Sequence, residues 1–368
     1  MAGPQGPVTA PSALNGDRMS VNAEPRAVTG DTGPGAQQPA DLVVPLGRQL
    51  AVLAVRYGMF VALLIWIVVM SFSTEHFFSS TNLLNVARQA APIIIIGVGM
   101  TFVMATAGID LSVGAVVALI SCLAASWLAL GLSVWIVVPL LLLVGAVLGG
   151  INGLAVWAGI PAFIVTLAAL VSVRGLAFVY SDGYAVPVTD EAFIWLGRGS
   201  ILGINTPFVL ATVVALVGWF LLNRTRFGLH TLAVGGREEA ARVMGLRIGV
   251  IKLAVYAITG ALAALGGIVV TARLANGSPN AGMSMELDVI AAVVLGGTSL
   301  FGGSATIVGT VVGALFINFI RNGLNLMNVD PYWVQVVTGI VLVLAVLLNS
   351  VVNRRVVQWA RRGAEGRR

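Results

Sequence analysis

Asp110 stands in Thr106-Ala107-Gly108-Ile109-Asp110-Leu111-Ser112-Val113-Gly114, a short polar interruption of nearly continuous apolar sequence. A carboxylate in such surroundings must be paired, hydrated or used, because a lone charge in hydrocarbon is costly. Two roles suit it. It can cap a helix that begins at Leu111 by accepting from free N–H groups, which is the simpler reading, or it can serve a solute or proton pathway. Glu286 and Asp288 open a second apolar run. They read as interfacial acids favoured by a helix N-terminus, with a coupling role as the alternative. A third stretch is Gly235-Gly236-Arg237-Glu238-Glu239-Ala240-Ala241-Arg242-Val243-Met244-Gly245. Its Gly pair breaks the chain, Glu238 and Glu239 suit a helix start, Glu238 and Arg242 are spaced as a helical ion pair, and Gly245 suits a helix end. Two such turns are marginal alone in water, so this is either a helix that docks on something or a solvated loop.

Other chemistries are excluded by what the sequence lacks. Lys252 is the sole lysine and lies between Ile251 and Leu253, so no Gly-Lys-Ser/Thr phosphate loop exists. The histidines are His76 and His230, which fall on opposite sides of the expected membrane, so neither a metal cluster nor a His-based triad can form. Cys122, the one cysteine, lies in an apolar run and reads as buried filler. Asn318, Asn322, Asn325 and Gln335 carry amides that can meet solute hydroxyls or bridge helices.

The elements that hold these groups follow from composition. The chain of 368 residues is 58% hydrophobic and 10% charged, against about 25% charged for a soluble domain. The expected fold is an all-α integral membrane protein of about ten spans. Met1 to about Gly47 holds seven of the fourteen prolines and no apolar h-region, and reads as a disordered cytoplasmic tail and not as a signal peptide. Residues 48–350 form the transmembrane domain and 351–368 a basic cytoplasmic tail. Apolar runs long enough to cross hydrocarbon extend over Ala51–Phe72, Ala90–Ala107, Leu111–Leu130, Val134–Trp157, Ala162–Tyr180, Pro207–Leu222, Ile251–Ala272, Glu286–Leu300, Ala305–Ile320 and Tyr332–Leu348. Ten spans put both tails and the basic loop 223–250 on one side. Those segments, with Arg48 and Lys252 at their edges, carry fifteen basic residues, against five at Arg88, Arg174, Arg198, Arg273 and Arg321, with Arg56 at a span end left out. Nine or eleven spans would divide the tails and spoil this positive-inside bias. The net charge of +6 therefore reports membrane orientation and not nucleic-acid binding.

The halves also repeat. Asn152-Gly153-Leu154 followed by Pro161 matches Asn322-Gly323-Leu324 followed by Pro331; Gly145-Ala146 and Gly313-Ala314 precede them, and Asp110 and Asp288 lie upstream. The copies, spans three to five and eight to ten, are offset by an odd number of spans. The repeat is therefore inverted, five plus five, as in many transporters.

Three stretches carry a resemblance. Glu239-Ala240-Ala241, three residues, then Gly245 resembles the coupling motif of bacterial ABC importer permeases. Gly108-Ile109-Asp110-Leu111-Ser112-Val113-Gly114 resembles a hallmark of the ribose-type sugar permeases among them. Val293-Val294-Leu295-Gly296-Gly297-Thr298-Ser299-Leu300-Phe301-Gly302-Gly303 is similar to their second hallmark. The Ile-Leu-Pro ending of the longest coupling motif is missing, as is common in that branch. The resemblance covers roughly Leu50 to Asn349. It implies a permease subunit in a bacterial cytoplasmic membrane, moving a monosaccharide. ATP and Mg²⁺ would sit on a separate ATPase chain, a periplasmic or lipoprotein receptor would deliver the sugar, and a second, identical permease chain would complete the pair. The helix from about Gly236 and Arg237 to Met244 would enter a cleft in the ATPase. A branched-chain amino acid or nucleoside cargo is the alternative within the family. An ion- or proton-coupled secondary transporter, using Asp110, Glu286 and Asp288, is the alternative outside it.

Overall fold

The computed structural model describes residue 61, residues 63–340 and residue 343. The expected tails, 1–47 and 351–368, and the outer parts of the first and last expected spans lie outside the described residues. Helix α1 covers Leu63–Ser73. Then follow α2 (Ser80–Ala105), α3 (Val113–Ala129), α4 (Val134–Trp157) and α5 (Ala162–Ser181). A short helix α6 (Glu191–Arg198) lies in the polar connection, beside four two-residue strands: β1 (Val186–Pro187), β2 (Ser200–Ile201), β3 (Ile204–Asn205) and, further along the chain, β4 (Asn276–Gly277). Next come α7 (Thr206–Arg224), α8 (Arg226–Gly236), α9 (Glu238–Val243), α10 (Ile248–Leu274), α11 (Met285–Leu295) and α12 (Ile307–Leu326), then α13 over residues 331–340. β1 pairs antiparallel with β4, and β2 with β3.

Six of these helices, α2, α4, α5, α7, α10 and α12, are long and apolar enough to cross a membrane. The sequence places α4 at its observed bounds. It starts α2 ten residues late, because Asn82, Asn85, Arg88 and Gln89 lower the hydropathy of its first turns. Those turns are helical because Ser79 caps them, its side chain accepting from Asn82 N. The expected span Glu286–Leu300 is the clearest departure. Its helix stops at Leu295, 11 residues long, or about 16 Å, half the hydrocarbon thickness.

Helix α2 is the hub. Every residue from Ala90 to Ala105 is buried, and α7, α10, α11 and α12 surround it. The other extensive contact joins α4 to α10. Gly145, Gly149 and Gly153 repeat every four residues, so they share one face of α4. A Cβ on any of them would meet the backbone of α10, at Gly260, Tyr256 and Leu253 respectively. Small residues at that spacing let two helix backbones touch, the usual source of dispersion energy where lipid removes the hydrophobic drive. Gly309 and Gly313 of α12 meet Gly296 and Ala292 in the same way. By contrast α4, α5 and α7 turn many large apolar side chains outward, among them Leu143, Val171 and Leu216, as a lipid-facing rim requires.

Candidate functional site

The basic loop folds into two helices where the sequence offered one. Thr225 caps α8, its hydroxyl accepting from Gly228 N, and α8 ends at Gly235-Gly236. Arg237 is extended and turns the chain into α9. Glu238 pairs with Arg242 at 3.3 Å, as its spacing predicts, and also with Lys252 at 2.9 Å. The second pair ties α9 to the first turn of α10 and is invisible in local sequence. At its other end, Gly245 takes φ +79°. Gly245 N bonds to Arg242 O at 3.0 Å and Leu246 N to Ala241 O at 3.1 Å; this doubly bonded left-handed stop closes a helix and returns the chain to the protein. Ala241 faces inward and is buried, whereas Val243 and Met244 are 89% and 68% exposed. Glu239 and Arg242 beside them are exposed too, while Ala240 is half-buried. The helix thus presents a small apolar tip with charged flanks.

The Gly pair does more than break the chain. A Cβ on Gly235 would overlap Ala105 O at the end of α2, and one on Gly302 would crowd Gly235 O and Ala107. Gly303 N donates to Ala105 O at 3.1 Å. Three segments far apart in sequence, the α8–α9 turn and the two hallmark stretches, therefore meet backbone to backbone. Phe227 of α8 packs on Phe102 of α2 with ring centroids 5.7 Å apart.

The two hallmark stretches share one local geometry. Ala107 (φ +61°) N bonds to Met104 O and Gly108 N to Val103 O, at 2.9 and 3.1 Å. Gly297 (φ +88°) N bonds to Val294 O and Thr298 N to Val293 O, at 2.9 and 3.2 Å. In each, a polar side chain then accepts from the N–H two residues on: Asp110 from Ser112 N at 2.9 Å and Ser299 from Phe301 N at 3.1 Å. Asp110 follows its left-handed residue by three positions and Ser299 by two, so a similar turn recurs without a residue-for-residue match. Asp288 differs, because it sits inside the first turn of α11.

Asp110 is 1% exposed. The helix after it starts at Val113 and not at Leu111, so Asp110 serves the turn before the helix instead of its first free N–H groups. The Ser112 hydroxyl donates to the same carboxylate oxygen at 2.6 Å, and Asn152 of α4 donates to that hydroxyl at 3.0 Å. This chain of polar groups clamps the first hallmark to α4. A Cβ on Gly114 would overlap Glu286 and crowd Gly282 O. The Glu286 carboxylate reaches the first turn of α3. Asp288 forms a forked ion pair with Arg321 of α12, one branch being 2.7 Å, where the sequence suggested free placement at a helix start. Removing one member leaves a charge with little water, so Arg321→Met should cost about 2–3 kcal/mol. Asp288→Asn with Arg321→Met should recover most of it, as thermal unfolding in detergent would measure.

The four amides separate. Asn322 exchanges hydrogen bonds with Asn82 of α2 at 2.7 and 3.0 Å, and Asn318 bonds within its own helix. Asn325 and Gln335 are exposed. Among the described residues no group of His, Cys, Asp and Glu could hold a metal ion. An apolar groove of about 400 Å³ between α7 and α12 has only the Thr212 hydroxyl and the Trp219 indole N–H among its lining side chains as polar groups, too little for a polyol. A polar recess of about 320 Å³ lies between α2 and the end of α10, lined by Asn85, Arg88, Gln89 and Arg273. Nothing in local sequence marks it, because its two basic residues are 185 positions apart.

Buried glycine-packed helices around a central one, a capped helix pair on a basic loop and scattered polar clamps define a multi-pass membrane transport protein. The family described as the permease component of branched-chain amino acid transport systems matches residues 82–346, and the chain belongs to it. The ribose import permease protein of Haemophilus influenzae is 42% identical over 296 residues, 79% of this chain and 92% of that protein. Its counterpart from Bacillus subtilis is 44% identical over 297 residues, 80% and 92% of the two chains. The D-allose transport system permease protein of Escherichia coli is 37% identical over 302 residues, 81% and 93%. No solved structure matches the chain.

Proposed function

We propose that this chain is the membrane-spanning permease subunit of an ATP-driven importer that moves a monosaccharide across a bacterial cytoplasmic membrane. The observation that carries the reading is α9: a short helix pinned on its inner side by Ala241 and by the Glu238–Lys252 pair, presenting Val243 and Met244 outward. An exposed apolar tip on a charged loop needs a partner, and an ATPase cleft is the partner that turns a transmembrane bundle into a pump. The relatives named for ribose and allose favour a sugar as cargo over a branched-chain amino acid or nucleoside.

The chain itself is a transport subunit without catalytic groups; ATP and Mg²⁺ belong to the separate ATPase. A sugar-binding receptor delivers cargo to the opposite face, and a second copy of the chain completes the pathway. The helices α1–α5, α7, α10, α12 and α13 cross the bilayer, and the half-length α11 with the non-helical segment before it makes the tenth crossing, so both termini are cytoplasmic. The recurrence of Asn-Gly-Leu and a following Pro in the two halves, offset by an odd number of spans, favours an inverted repeat. Asn85, Arg88, Gln89 and Arg273 suit sugar hydroxyls at the receptor side. An ion-coupled mechanism is less favoured, because Asp110 and Asp288 are both held by fixed partners.

The test is gentle extraction from the host and identification of stoichiometric partners. A co-purifying P-loop ATPase, stimulated by one sugar with its receptor, is the expected result. Solute movement by the purified chain alone, driven by an ion gradient, would overturn the reading.

A further inference from the structure

Between α10 and α11 the chain is neither helix nor surface loop. Ala275 (φ +53°) ends α10 and Ser284 (φ +60°) precedes α11, both in the left-handed region that non-glycine residues rarely enter. A Cβ on Gly277 would meet Ser121 and Ala125 of α3, and one on Gly282 would meet Val117 and Gly114 O. The segment therefore descends α3 from Ala125 to Gly114, about 16 Å along the helix. It ends where the half-length α11 begins.

One side of this segment is secured by Arg174, which lies twelve residues into α5, about 18 Å from that helix's start. Its guanidinium donates to the carbonyls of Pro279 (3.1 Å), Ala281 (2.9 Å) and Gly282 (3.3 Å). A charge at that depth is expensive, and here it satisfies backbone acceptors that no helix ladder supplies. The other side is open. Asn280 and Ser284 are exposed, as are Met283 and Leu287, by 66% and 55%. Irregular backbone at bilayer depth is tolerated only inside protein or against a water-filled cavity. Lipid cannot serve Asn280, Ser284 and their neighbouring backbone.

We infer that residues 275–284 and the first turn of α11 form a non-helical wall of the aqueous solute pathway, with Arg174 as the positioning residue that holds it against α3; this rests on the transport reading above. Asn280 and Ser284 then face a hydroxyl-bearing solute, and Arg174 acts only through the backbone it grips. Strain at both ends of the segment makes it a place where the wall can shift as a unit.

The test uses the full chain in membranes with its partners. Ser284→Cys and Met283→Cys should react with a charged, membrane-impermeant methanethiosulfonate within tenfold of the rate at Tyr184→Cys, an exposed connection site. Leu143→Cys, on the lipid-facing rim, should be at least a hundredfold slower. Arg174→Met should change the Ser284→Cys rate at least threefold and lower sugar uptake about tenfold. Arg174→Lys, which retains charge but loses the fork, should fall between and serves if the Met variant fails to accumulate. Rates at 283 and 284 as slow as at 143 would overturn the pathway wall. An unchanged rate at 284 in both Arg174 variants would overturn the positioning role. Labelling needs neither sugar nor ATP, so failure of uptake in the parent chain would count against the importer reading and not against this one.

Discussion

Gly235→Val should abolish most sugar uptake, by tenfold or more, in a chain that still reaches the membrane. The added Cβ would overlap Ala105 O, which also accepts from Gly303 N. Neither neighbour is a side chain that can rotate away, so α8 must move off the end of α2 or the two hallmark turns must separate. Overpacking of this kind costs roughly 1–3 kcal/mol, too little to unfold so large a helical core. The functional effect exceeds the stability effect because α8 carries α9, and the junction is the one direct backbone link from the loop to both hallmark stretches among the described residues. Gly175→Val is the control: nothing lies within 4 Å of a Cβ there, and uptake should stay within twofold. Uptake measured in vesicles with the partner ATPase decides it; normal transport by Gly235→Val would remove the junction from the mechanism.

Gly245→Val should uncouple hydrolysis from transport by a different physical route. No atom lies within 4 Å of a Cβ at Gly245, yet its φ is +79°. The penalty is backbone strain alone, about 1–2 kcal/mol for an L-residue in the left-handed region and more for a β-branched one. The stop made by Gly245 N and Leu246 N would open, and Val243 and Met244 would lose their fixed direction. Sugar-stimulated ATP hydrolysis should fall about tenfold while basal hydrolysis by the ATPase persists. Asn tolerates this conformation, so Gly245→Asn should retain most coupling. Equal loss in the Asn and Val variants would mean that the position matters for something other than its dihedral angle.

How much of this was legible beforehand differs by element. The bounds of α4 follow from hydropathy because both its ends are turns and its interior is unbroken. Helix α8 was missed because it is short, half-buried and rich in glycine, and is held by Phe102 of α2 and not by its own propensity. The Glu238–Arg242 pair follows from spacing four; the Glu238–Lys252 pair joins two helices and needs their angle. Asp110 and Asp288 were matched because each precedes an apolar run. The two acids nevertheless sit in different local structures, Asp110 in the turn before α3 and Asp288 in the first turn of α11, and what recurs after α2 and α11 is a backbone shape only.

The sequence by itself determined that this protein lives in a membrane, that its long apolar runs are helical, where a capped helix projects from the basic loop and which family's hallmarks it bears. Those properties depend on composition, period and nearest neighbours along the chain. Only the tertiary structure decided that α11 is half a span, that Arg174 grips the carbonyls of residues 279, 281 and 282, and that Gly235, Gly303 and Ala105 touch. The last two join groups 68 to more than a hundred residues apart. In lipid such contacts form because every buried carbonyl must find a donor, and one-dimensional sequence does not reveal which distant donor it finds.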